Sequence, residues 1–249
     1  MVDKLLKCLT IMIRVKRIKR YKGYRFPIEV ISSAIWSYYR LTASFRDIEI
    51  LLMQRGIEVS HETVRCLVKN FGTLYAHQLK KRQAKRVDRW HLDEQCIIIN
   101  GKRYWLWRAI DQDGYELDIL VQPRRNTKAA IRFFRKLLKE LQYVPRVIVT
   151  DKLRSYSSAK KKILKKVEHR NHKRLNNCIE VAHQPTRLRE KQMRRFKSPP
   201  QAQQFLSAFG IIKNYFKVGL YKLKAKERKE KIKAAFTMWT AISLLYIAP

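Results

Sequence analysis

Trp90-His-Leu-Asp-Glu-Gln-Cys-Ile-Ile-Ile99 runs into Asn100-Gly101 and out again through Tyr104-Trp-Leu-Trp-Arg-Ala-Ile-Asp111. Both runs are rich in β-branched and aromatic residues, and the Asn-Gly pair between them supplies the left-handed backbone that a tight hairpin needs. Asp111-Gln-Asp-Gly114 reads as a second turn and Tyr115–Gln122 as a third strand. The period then changes. In Asn126–Gln142 the apolar residues Ala129, Ala130, Phe133, Phe134, Leu137, Leu138 and Leu141 share one helical face. Pro145 precedes a fourth strand, Arg146–Thr150, and residues 153–166 read as a basic helix. Glu180 falls early in a helix beyond Leu175-Asn-Asn-Cys-Ile179.

Three antiparallel strands, a helix, a strand and further helices are the order of a ribonuclease-H-like fold. In that order strands one and four lie side by side. Asp93, inside the first, and Asp151, at the carboxyl end of the fourth, would meet there, with Glu180 reaching them from a helix. Intervals of 58 and 29 residues separate the three, so only the fold can gather them. The chain has 56 basic and 20 acidic residues. Three carboxylates placed this way on such a chain suit two Mg²⁺ ions ~3.5–4 Å apart acting on a phosphodiester, with Mn²⁺ as a substitute. Glu94 neighbours Asp93 but is expected on the opposite strand face. Asp111, Asp113 and Asp118 suit turns, and Glu168 suits an ion pair.

Upstream, the chain reads as α-helical. Pro27 opens a helix with Ile28, Ile31, Ile35, Tyr38 and Tyr39 on one face. Ser44 caps a second, Ser44–Gln54, which Arg55-Gly56 ends. Ser60 caps a third, His61–Phe71, with His61, Arg65 and Lys69 facing outward. Two short helices joined through a glycine turn give a helix-turn-helix signature. The fold class is therefore α/β, a ribonuclease-H-like mixed sheet with flanking helices preceded by an all-α helix-turn-helix domain. The expected organisation is a basic leader (1–22), the helix-turn-helix domain (23–75), a basic linker (76–89), the catalytic domain (90–197) and C-terminal helices (198–249), in which 222–233 is a charged connector.

The formal charge is +36 over 249 residues, divided as +13, +11 and +12 over residues 1–92, 93–180 and 181–249. A basic tail would concentrate that excess; here it covers the whole chain, which points to a polyanionic partner, nucleic acid above all. The four cysteines form no C-x-x-C pair, so a disulfide scaffold is not expected and a reducing compartment fits. His169, His172, Cys178 and His183 match no standard zinc-finger spacing. Residues 234–248 are apolar but shorter than the ~20 residues of a membrane span, and no membrane partner is expected.

Several stretches resemble the DDE transposases of bacterial insertion sequences, in particular family six, whose members form cointegrates. They are Trp90-His-Leu-Asp-Glu94, Gly101-Lys-Arg-Tyr-Trp-Leu-Trp-Arg-Ala-Ile-Asp111, Thr150-Asp-Lys-Leu-Arg-Ser-Tyr156, Glu168-His-Arg-Asn-His-Lys-Arg-Leu-Asn-Asn177 and His183-Gln-Pro-Thr-Arg-Leu-Arg-Glu190. The resemblance implies that Asp93, Asp151 and Glu180 are catalytic and metal-ligating. It also implies that Arg187, seven residues after the glutamate, contacts DNA near the cleaved phosphate. Lys152 and Lys173, inside two of the motifs, join the expected DNA contacts. The implied reaction is cleavage and strand transfer at terminal inverted repeats, into target DNA, by at least a homodimer. One departure stands out: Glu180-Val-Ala-His183 replaces the usual Glu-Asn-Ser-His. An alternative is a catalytically defective copy acting only through its helix-turn-helix, and another is a different nuclease of the same fold.

Overall fold

The computed structural model describes residues 21, 23–82, 87–151, 153–171, 176–217 and 223–244. The basic leader, apart from Tyr21, and the expected DNA contacts Lys152 and Lys173 lie outside the described residues. Helices α1 (Ile28–Arg40), α2 (Phe45–Met53) and α3 (His61–Arg82) come first. Strands β1 (Arg89–Ile99), β2 (Lys102–Asp111) and β3 (Glu116–Gln122) follow, then α4 (Thr127–Leu141), β4 (Val147–Thr150), α5 (Arg154–Ile163), β5 (Glu168–Asn171), α6 (Asn177–Gln192), α7 (Pro199–Tyr215) and α8 (Ala225–Leu244).

The five strands form one mixed sheet in the order β3-β2-β1-β4-β5. The β1–β2 hairpin is antiparallel, with Asp93 opposite Arg108, and turns on Asn100 and Gly101, both at positive φ. Strand β4 pairs in parallel with β1, Leu92 beside Thr150, which sets Asp151 next to Asp93 in the following row. This is the ribonuclease-H-like arrangement that the strand order implies.

Period-two alternation gives the sheet two different faces. Trp90, Leu92, Trp107, Ala109 and Ile148 pack beneath α4 and α5. Ile97, Ile99, Leu106 and Ile119 face the other way, into a core shared with Ile31, Ile35, Leu67, Phe71, Phe209, Ile212 and Trp239. The amino-terminal helices, α7 and α8 thus close over one face of the sheet in a single core.

Several boundaries differ from the sequence reading. The third helix does not stop at Phe71 before a linker; it continues to Arg82, burying Tyr75, Ala76 and Leu79. At Gly72 it packs tightly against α1, because a Cβ there would lie 2.5 Å from the Tyr39 hydroxyl oxygen. Residues 225–233, expected as a connector, form the first half of α8. Strand β5 was not expected at all. It is four polar residues paired to β4 through its backbone, so it carries no apolar signal. The second helix begins as read, with the Ser44 hydroxyl accepting from the Asp47 amide and the Asp47 carboxylate accepting from the Ser44 amide. Among the described residues no helix is long and apolar enough to cross a membrane.

Candidate active site

Asp93, Glu94 and Asp151 offer carboxylate oxygens that lie within 4.8 Å of one another, the one such cluster of potential metal ligands among the described residues. Asp93 and Asp151 meet as expected. Glu94 corrects the sequence reading. It does point to the other face of β1, toward the buried Tyr156 hydroxyl. Asp151, however, lies one residue past the last β1–β4 pair. At a strand end its carboxylate is within reach of both faces, so strand parity does not exclude Glu94.

The Glu94 carboxylate pairs with the Arg125 guanidinium, which also stands 3.5 Å from Asp151 and 4.9 Å above the Trp105 ring. Burial pushes the Asp151 carboxyl above its usual range; the Leu153 amide pulls it down and nearby Asp93 pushes it up. Crowded oxygen-only ligands whose charges oppose one another suit a hard divalent cation. Glu94 is pushed up to about 7 from 4.5 by burial, against the pull of Arg125. Between those two values the folded chain keeps a proton that the unfolded chain has lost. Stability therefore falls as pH rises through that window. In metal-free protein, Glu94→Gln is expected to flatten this fall, as measured by urea denaturation across the same range.

Helix α6 is held against the site by two contacts. The Asn176 amide donates to the Leu92 carbonyl at 3.0 Å, and His183 Nε2 lies 3.2 Å from Asp93 Oδ2. Glu180 stands one turn before His183, outside the 4.8 Å cluster, with about 60% of its side chain exposed, and pairs at 3.5 Å with Arg187. Both residues therefore share a helix face, as a seven-residue interval requires. His183 draws no metal-ligand partner from His169, which bonds instead to the Thr150 hydroxyl at 2.8 Å.

His61, Arg65 and Lys69 line the outer side of α3. His61 Nδ1 sits 3.3 Å from Glu49, and Arg65 Nε donates to the Glu62 carboxylate at 2.9 Å. Glu168 pairs with Arg170, and Asp111 accepts from the Asp113 and Tyr115 amides in its turn, both as expected. Asp118 is not a turn residue; it is buried and bound by Lys80 and Lys136. Arg189 shows no sequence signal, yet it is buried. It donates to the carbonyls of Thr42 and Ala43 and stacks 4.5 Å over Tyr38, fastening α6 to the turn between α1 and α2.

A mixed sheet in this strand order, with one aspartate inside β1 and another at the end of β4, defines a DDE-type catalytic core. Residues 87–219 match the family described as "DDE domain". Over 176 residues the chain is 35% identical to the transposase for the insertion sequence-like element IS431mec of Staphylococcus aureus, covering 69% of this chain and 77% of that one. The transposase for insertion sequence element IS257 in transposon Tn4003, from the same species, matches with the same identity and coverage. Among solved structures, the catalytic domain of Mos1 mariner transposase aligns with 69% of this chain and 90% of that one, at 13% identity and a TM-score of 0.38. The chain belongs to the DDE transposases of insertion-sequence family six.

Proposed function

We propose that this transposase binds the terminal inverted repeats of its element and carries out Mg²⁺-dependent cleavage and strand transfer into target DNA, with Asp93, Asp151 and Glu180 as its catalytic carboxylates. The observation that carries this reading is the convergence of Asp93 and Asp151 on neighbouring strands. A divalent ion there would activate a water or 3′-hydroxyl nucleophile and stabilise the leaving oxygen. Asp93 and Asp151 would hold it, and Glu180 would join them from α6 once released from Arg187. The number of ions, two in this reading, follows from the in-line geometry of the reaction. The defective-copy alternative has no need of paired carboxylates in the core, and Val181-Ala182 leaves Glu180 itself in place.

The polypeptide does the positioning. Arg187, exposed beside Glu180, is placed to clamp a phosphate of the scissile strand. Arg187→Ala is expected to slow strand transfer at saturating DNA far more than it weakens DNA binding. The exposed Lys191→Ala is the matched control, and equal loss of affinity with unchanged rate in both would remove Arg187 from the site. Arg189 does not serve as that control, because its removal would detach α6 from the helical layer.

Helices α2 and α3 act as the helix-turn-helix in this proposal, with His61, Arg65 and Lys69 facing DNA. Arg65→Ala is expected to cost ~1–3 kcal/mol of discrimination between repeat and unrelated DNA, measured by competition binding. The full chain is the right material for that measurement. A fragment ending near residue 88 would expose the apolar residues that α7 and α8 cover. Lys152 and Lys173 belong to the same proposed DNA contact, as does a dimer that joins two element ends.

A further inference from the structure

Arg108 is a long cation sealed inside the protein, and all three of its guanidinium nitrogens have hydrogen-bond partners. Its Nε donates to Glu116 Oε2 at 3.0 Å, Nη1 to the Ala182 carbonyl at 2.7 Å and Nη2 to the Thr186 hydroxyl at 2.7 Å. Nη1 also lies 3.0 Å from His183 Nδ1. Arg108, His183 and Thr186 are each at most 2% exposed, and the Glu116 side chain is 4% exposed. Glu116 is itself confined, because α7 passes so closely at Gly210 that a Cβ there would overlap its carboxylate.

A guanidinium offers only donors and stays protonated in proteins. The ring nitrogen facing Arg108 must therefore accept, which puts the histidine proton on Nε2. That nitrogen faces Asp93 Oδ2 at 3.2 Å, so the ring donates to the aspartate and leaves Oδ1 open. The direction of each hydrogen bond follows from the one before it, starting at a cation that cannot reverse. Asp93 lies directly across the β1–β2 ladder from Arg108, so strand register supplies both ends of the chain and α6 supplies the middle.

We propose that Arg108 and His183 are positioning residues for the metal site, fixing the tautomer of His183 so that it holds Asp93 with one carboxylate oxygen presented to a divalent cation. This rests on the reading of Asp93 as a ligand. Hydrogen-bond partners of metal-binding carboxylates typically matter by about 10–100-fold in metal affinity.

The test is Mn²⁺ titration of the full chain, followed by the spin-resonance signal of the free ion, with no DNA present. His183→Leu is expected to weaken Mn²⁺ binding roughly 10–100-fold. His183→Gln should recover most of it, because a glutamine amide nitrogen reaches the place of Nε2 and donates to Asp93. A purely structural histidine would not be rescued in this way. Thr186→Val keeps the side-chain volume and removes one anchor of Arg108, giving the same test with a smaller perturbation of the fold. A smaller loss of affinity in it supports the relay. Wild-type Mn²⁺ affinity in both His183→Leu and Thr186→Val, while Asp93→Asn abolishes binding, overturns the inference and leaves the carboxylate site standing. Wild-type affinity in Asp93→Asn removes the metal site itself.

Discussion

Asp93→Asn and Asp151→Asn are each expected to lower strand transfer by roughly 10³-fold or more while DNA binding persists. Metal-ion stabilisation of the reacting oxygens supplies several kcal/mol of the barrier reduction, and each ~1.4 kcal/mol is a factor of ten in rate. An amide keeps the shape of the carboxylate and loses the charge that ligation needs. Binding should not suffer, since it rests on basic residues spread through all thirds of the sequence. Removing one negative charge even favours it slightly. Glu180→Gln should behave likewise if the helix brings that carboxylate to the pair. The assay is strand transfer from a labelled repeat end with Mg²⁺, alongside a binding titration. Mn²⁺ should support the wild type and Ca²⁺ should not, because in-line transfer favours small octahedral ions. Wild-type turnover in Asp93→Asn or Asp151→Asn would overthrow the assignment.

The second large effect is on stability. Arg108→Met is expected to destabilise the chain by about 3–5 kcal/mol, because it leaves Glu116 buried without its counter-charge. Burial already pushes the Glu116 carboxyl above its usual range, and Arg108 is the strongest influence pulling it back. Without the guanidinium the rise is greater. A carboxylate raised in the folded state keeps its proton where the unfolded chain has lost it, so its contribution to stability falls as pH increases. The variant should therefore lose less stability near pH 5 than near pH 8, pH values chosen to bracket that ~pH 5–8 span of usual maximal stability. Arg108→Met combined with Glu116→Gln should recover much of the loss. Urea denaturation of the three proteins at both pH values decides the matter, and a single variant as stable as the wild type would rule out the argument.

Sequence alone carried the strands that bury their side chains and the helices with one apolar stripe. The hairpin at Asn100-Gly101 and the helix carrying Phe133 and Phe134 announce themselves, because burial imposes the periods that can be read. Strand β5 is invisible for the complementary reason. Glu168-His-Arg-Asn171 sits at a sheet edge, and its place is set by backbone pairing with β4. The third helix, read as ending at Phe71, runs on through Gly72, where the Tyr39 ring packs so close that a side chain would collide with it. At the site, Asp93 and Asp151 were legible from their positions on strands. Glu94 was set aside by face parity, a rule that fails where a partner residue has left the strand. Arg108 and Arg189 could not be told from surface arginines in a chain with so many basic residues. Only the closed core distinguishes them.

The anchorage of Arg189 bears on how such a protein can change over time. Because α1–α3 share a core with the sheet and α6 is fastened to their first turn, the amino-terminal helices are not a cassette that recombination can exchange for another. A borrowed set of helices would have to arrive with matching α7 and α8 and with carbonyls where Arg189 expects them. If α3 reads the element ends as proposed above, new end sequences are more readily acquired by substitutions along its outer side, where Arg65 and Lys69 lie outside the core. The divergence of such elements should then be concentrated on that one exposed stripe, while the tie between helix and turn is inherited unaltered.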